Sequence, residues 1–202
     1  MDHARLSQVR VLDVAREQGC RSDDLRVEAG DTLTLSPDSE LFRHHYLRLQ
    51  PKNIDEVRQY IGLSDAVLEQ ASTRLKSSCN PKSNPCRLSA RLISPEQLED
   101  EDPELRNEAL QLTQIAAREY VMGDSNRVLS WKPILDRYVS IAKIQLQIAV
   151  LQDITVGTNA TLNLSPNTHA LYANRIRIHT GGKIRCNGPK TFRCASIEGN
   201  LP

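Results

Sequence analysis

The sequence predicts a mixed α and β fold in which a short parallel β-solenoid, about 22 residues per coil, is interrupted by a helical insertion. Three observations predict it. The run Asp24-Leu25-Arg26-Val27, followed by Thr32-Leu33-Thr34-Leu35-Ser36-Pro37, returns without a gap as Asp153-Ile154-Thr155-Val156 and Thr161-Leu162-Asn163-Leu164-Ser165-Pro166. Inside each copy, like residues recur 22 positions apart: Leu25 with Leu47, Val27 with Leu49, Ile154 with Ile176, Val156 with Ile178, Leu162 with Ile184, Leu164 with Cys186, and Tyr172 with Cys194. Between the copies lie helix caps and helical spacing. An antiparallel β-sandwich with the same helical insertion is the alternative, because short strands at regular spacing suit that fold as well.

Residues 1–23 are a lead-in, with a short helix expected over Leu6 to Gln18. Residues 24–50 form the first β segment. Apolar and polar residues alternate there with the two-residue period of a strand that buries one face, and Ser-Pro and Gly-Asp mark the turns. The insertion spans residues 51–152. Asn53-Ile54-Asp55-Glu56 reads as a capping box before Ile54, Val57 and Ile61, which recur at helical spacing until Gly62. Ser64 starts a second helix with Val67, Leu68, Ala71 and Leu75 inward. Residues 77–92, rich in Pro, Ser and Asn, read as a flexible loop. Ser94-Pro95 and Asp102-Pro103 each place a capping residue before a first-turn proline. Leu105, Ala109, Leu112, Ala116 and Tyr120 then make one apolar face ending at Gly123. A last helix is expected from about Ser130 to Leu151, feeding the second β segment, residues 153–202. There the corner residues also align at the 22-residue spacing, Asn159 with Gly181 and Ala160 with Gly182.

A chain of 202 residues is long enough to bury roughly 70% of its unfolded surface, so one or two ordinary cores are available. Lys and Arg number 26 against 25 Asp and Glu, which leaves no global field to steer a polyanion; any electrostatic function is local. Aromatic residues make up 4%, too few for a base-stacking platform, and nucleic acid is disfavoured as a partner. No apolar run reaches membrane-spanning length, so no membrane partner is expected. The first residues do not read as a secretory signal, and if Met1 is the natural start the expected compartment is cytoplasmic. In a secreted chain, Cys79 with Cys86 and Cys186 with Cys194 would be the disulfide candidates, leaving Cys20 over.

Glycine-rich phosphate loops, a nucleophile elbow and a zincin motif are all missing, and no cofactor is expected. His44-His45 alternate across a strand and make a poor metal pair, even with His169 or His179 added as a further ligand. Asp38 and Glu40, after the Ser-Pro corner, could flank a glycosidic bond at a suitable separation, but read first as solvated corner carboxylates. The clearest binding candidates are Arg175, Arg177, Lys183 and Arg185. They alternate with inward Ile176, Ile178 and Ile184, so as strand residues they project outward and could hold an anionic polysaccharide. Acidic residues 96–104 are the expected internal neutraliser of that strip. The sequence thus points to a non-enzymatic interaction or assembly protein, a β-solenoid capped by helices, with a protein partner or a second copy bound through the helical segment. A carbohydrate-binding or carbohydrate-active module built on the basic strip is the alternative.

Overall fold

The computed structural model describes residues 11–63, 94–188 and 190–199. The second helix expected after Ser64, the loop at 77–92, and both Cys79 and Cys86 lie outside the described residues. The chain divides into two compact units, Met1–Leu49 with Gln145–Pro202, and Gln50–Ile144.

The first unit opens with a helix over 11–17 (α1), inside the expected lead-in helix. Eight strands follow: β1 Leu25–Val27, β2 Thr32–Leu35, β3 Tyr46–Leu49, β4 Leu146–Val156, β5 Thr161–Leu164, β6 Ala170–Ile178, β7 Lys183–Cys186 and β8 Thr191–Gly199. One sheet has the order β1-β4-β6-β8 and the other β2-β5-β7. All these neighbours are parallel, which overturns the antiparallel sandwich. Leu25 pairs with Ile154, Ile154 with Ile176, Val156 with Ile178, Leu33 with Leu162, and Leu162 with Ile184. The two copies therefore pair in the register that the repeat requires, although about half the chain separates them.

Alternation then sets burial. Leu25, Val27, Ile154, Val156 and Ile176 from the first sheet and Leu35, Leu162 and Leu164 from the second are buried in one shared core. Each such side chain contributes about 1.5–3 kcal/mol when fully buried. Corners follow the same register. Gly30, Asn159 and Gly181 all hold positive φ, at 79°, 57° and 72°. The Gly30 amide donates to the Thr158 carbonyl at 2.9 Å, and the Asn159 amide to that of Thr180 at 3.0 Å. Only residues that tolerate the left-handed region fit such a column.

Three expectations about the strands and the helix that feeds them need correction. Leu47 and Leu49 do not stack in parallel 22 residues after Leu25 and Val27: β3 runs antiparallel to the first half of β4, pairing Leu47 with Ile148 and Leu49 with Leu146. Tyr172 does not pair with Cys194: it pairs with Arg193, and Cys194 pairs with Ala173. The connection from β7 to β8, residues 187–190, is one residue shorter than that from β5 to β6, residues 165–169, so the last register is 21 rather than 22. The final helix also stops early. Lys132–Ala142 (α4) ends at Lys143, whose φ is 47°, and residues 146–151 already belong to β4. Ile148, Ala149, Val150 and Leu151 are all buried, so both strand faces are apolar, and a continuous apolar run shows no period that separates strand from helix.

The second unit is helical: α2 Ile54–Ile61, a 3-10 turn at Pro95–Glu99, α3 Pro103–Met122, a 3-10 segment at Ser125–Trp131, and α4. Asn53 Oδ1 accepts from the Glu56 amide at 2.9 Å, while Glu56 reaches back to the amide of Lys52 rather than that of Asn53, at 2.8 Å. The Asp102 carboxylate accepts from the Glu104 amide, and Pro103 begins α3. Leu105, expected inward, is exposed; Thr113 is buried instead and donates its hydroxyl to the Ala109 carbonyl at 2.8 Å. Ile54, Val57, Ala116, Tyr120, Trp131, Leu135 and Val139 share the core of this unit. A charged cluster ties α2 to α4. Lys132 Nζ lies 2.8 Å from Asp55 and 2.9 Å from Asp136, the Tyr120 hydroxyl donates to Asp55, and Asp136 accepts from the Ile54 amide at 2.9 Å. The hydrogen bond to Asp55 raises the Lys132 ammonium well above its usual range, and burial together with the Asp55 contact pushes Tyr120 up to about 12.

Candidate functional site

The outward positions of the two sheets hold the candidate binding residues. On the first sheet, Asp153, Arg175 and Ser196 form one column across the strands, and Thr155, Arg177 and Glu198 form the next. Asp153 accepts Arg175 Nη2 at 2.6 Å and Nε at 3.1 Å on one oxygen and Asn174 Nδ2 at 3.0 Å on the other. Glu198 accepts Arg177 Nε at 3.1 Å and Nη2 at 3.0 Å. Arg175 and Asn174 therefore hold the Asp153 carboxyl below the usual carboxylate range, and Asp153 raises the Arg175 guanidinium. Both guanidinium groups are engaged by carboxylates one strand away. Neutralisation of this part of the strip comes from within the sheet, through Asp153 and Glu198.

The second sheet is different. Its outward columns read Thr32, Thr161, Lys183 and Thr34, Asn163, Arg185. Lys183 and Arg185 are exposed, and neither has an ion-pair partner among the described residues. The four cations thus do not form one patch projecting from neighbouring coils. Arg175 and Arg177 lie on β6 and Lys183 and Arg185 on β7, consecutive strands that belong to different sheets.

The period could have revealed the first ion pair, since Asp153 precedes Arg175 by 22 residues on the outward side. Glu198 follows Arg177 by 21, which hides it from a strict 22-residue search.

Among the remaining candidates, Asp38, His45 and His169 are tied to backbone or to a corner residue. Asp38 accepts Asn167 Nδ2 at 2.9 Å, a bond between equivalent corners of the two copies, and Glu40 is exposed. His45 Nδ1 lies 2.9 Å from the Arg21 carbonyl oxygen, and His169 Nδ1 accepts the Gln147 amide at 3.0 Å. Burial holds the His169 imidazole below its ordinary value. No group of three His, Cys, Asp or Glu among the described residues is placed to hold a metal ion. Cys186 ends β7 and Cys194 lies within β8; both carry free thiols, pushed up by burial. One buried polar group leaves no trace in residue spacing. Tyr46 OH and Thr168 Oγ1 are 2.7 Å apart, with Ser165 Oγ 3.2 Å from Thr168, and burial pushes the Tyr46 phenol up to about 12.

Compared with family models, with curated proteins and with solved structures, the chain shows no significant match to any of them. Among the described residues no helix is long and apolar enough to cross a membrane.

Proposed function

We propose that the two parallel sheets are faces of a short β-solenoid, and that the chain is a non-enzymatic interaction or assembly protein using this ladder as a rigid platform. The observation that carries the reading is the column of left-handed corners, Gly30, Asn159 and Gly181, which fixes successive strands in one register. A ladder with matched corners and one shared core presents its outward side chains at constant spacing, about 4.8 Å between strands. Asp38, one of the two corner carboxylates, and His45 and His169, weighed as metal ligands, are engaged in structural hydrogen bonds. Such bonds suit a scaffold.

The helical unit supplies the expected protein contact. Leu105, Ile115, Leu129 and Ile141 are large apolar side chains exposed there, with Leu129 at 55%. Sedimentation velocity over a range of concentrations tests the reading. Self-association, weakened when Ile115→Asp and Leu129→Asp are combined, is the expected result. A strict monomer at every concentration counts against it.

A further inference from the structure

Resting on the platform reading, we propose that the outer face of the three-stranded sheet binds a linear acidic polysaccharide. Lys183 and Arg185 would take its carboxylate or sulfate groups, and Thr161, Asn163, Thr32 and Thr34 its hydroxyls. The argument begins with the contrast between the two sheets. On the first, every candidate cation meets an acid in its own column, Arg175 with Asp153 and Arg177 with Glu198. On the second, the two columns contain three threonines, one asparagine, one lysine and one arginine, and no acid. Two cations with no partner among the described residues keep an attraction for anions that the paired arginines have lost.

Geometry selects an extended ligand. Lys183 and Arg185 are two residues apart on β7, about 6.6 Å along the strand, and their side chains leave the same side. The neighbouring strands bring Thr161 and Asn163 alongside them in register, with Thr32 and Thr34 one strand further. Charge therefore lines one edge of the face, and neutral donors and acceptors cover the rest. A polymer with regularly spaced anions and many hydroxyls matches both parts. Nucleic acid matches only the charge, since no aromatic side chain stands among the six to stack a base.

The test measures binding of the full chain to polygalacturonate and to dextran sulfate, which separate carboxylate from sulfate as the anion. Dextran serves as the neutral polymer and a single-stranded oligonucleotide as the competing polyanion. Expected is binding to at least one acidic polysaccharide, weaker in added salt, and none to dextran. Combining Lys183→Glu with Arg185→Glu should weaken it by at least about tenfold. Arg175→Gln, which removes a guanidinium already held by Asp153, should change it by less than about twofold. If the charge-reversed chain melts early, Lys183→Gln with Arg185→Gln replaces it, and a loss of about threefold or more is then expected. Binding to neither acidic polymer, binding that survives both double substitutions, or equal affinity for the oligonucleotide would each overturn the proposal. Sedimentation reads self-association with no polymer present, so failure of the ligand assignment and failure of the platform reading are seen separately.

Discussion

His169 shows how one side chain joins local chemistry to the ladder. Its backbone amide donates to the Gln147 carbonyl at 2.8 Å, and its ring Nδ1 accepts the Gln147 amide, so the proton of the neutral ring sits on Nε2. Burial lowers the pKa of this imidazole in the folded chain, and the charge of Lys190 lowers it further. As pH falls through the ordinary histidine range near 6.5, the unfolded chain takes up a proton that the folded one resists. The stability tied to this residue is thus complete above that range and declines below it. Denaturation midpoints measured at about pH 7.5 and about pH 5.5 should differ less in His169→Asn than in the unsubstituted chain. An equal difference in both would remove His169 from the pH response. Sequence alone marked His169 only as a distant metal candidate, because its partner is a backbone amide, which leaves no trace in residue identity.

At the scale of elements, corners and strands follow different rules of legibility. Asn159 and Gly181 were readable as corners because few residue types accept positive φ, and the structure gives both that conformation. Strand β4 was only half readable. Its second half, Asp153 to Val156, alternates, but Ile148 to Leu151 is apolar on both faces and merges with the end of the preceding helical pattern. The antiparallel seat of β3 was equally hidden, since an alternating strand carries no sign of its partner's direction. Corner chemistry yields a sharp prediction. Gly181→Ala should destabilise the chain by about 1–2 kcal/mol, because it adds a Cβ at φ 72° and beside the Asn159 side chain. Asn159→Gly should be close to neutral, within about 0.5 kcal/mol. Chemical denaturation measures both, and an unaffected Gly181→Ala chain would argue against a left-handed corner.

For the whole molecule, the repeat revealed most of the ladder and only part of its surface. Inward positions announce themselves by hydrophobicity at a fixed spacing. Outward positions depend on which acid falls beside which base, and a single residue lost from the 187–190 turn moved Glu198 onto Arg177. Arg175 pairs with Asp153 in the unshifted register and Arg177 with Glu198 through that shift, while Lys183 and Arg185 stand open on the other sheet. The platform and its proposed ligand both depend on distant stretches of chain meeting as adjacent strands. Methyl-to-methyl nuclear Overhauser contacts, recorded on a chain labelled at Ile, Leu and Val, test this most directly. The account predicts contacts linking Ile154 to both Leu25 and Ile176, Ile176 to Ile197, and Leu162 to both Leu33 and Ile184. Contacts confined to residues near in sequence, with none between the two copies, would contradict it.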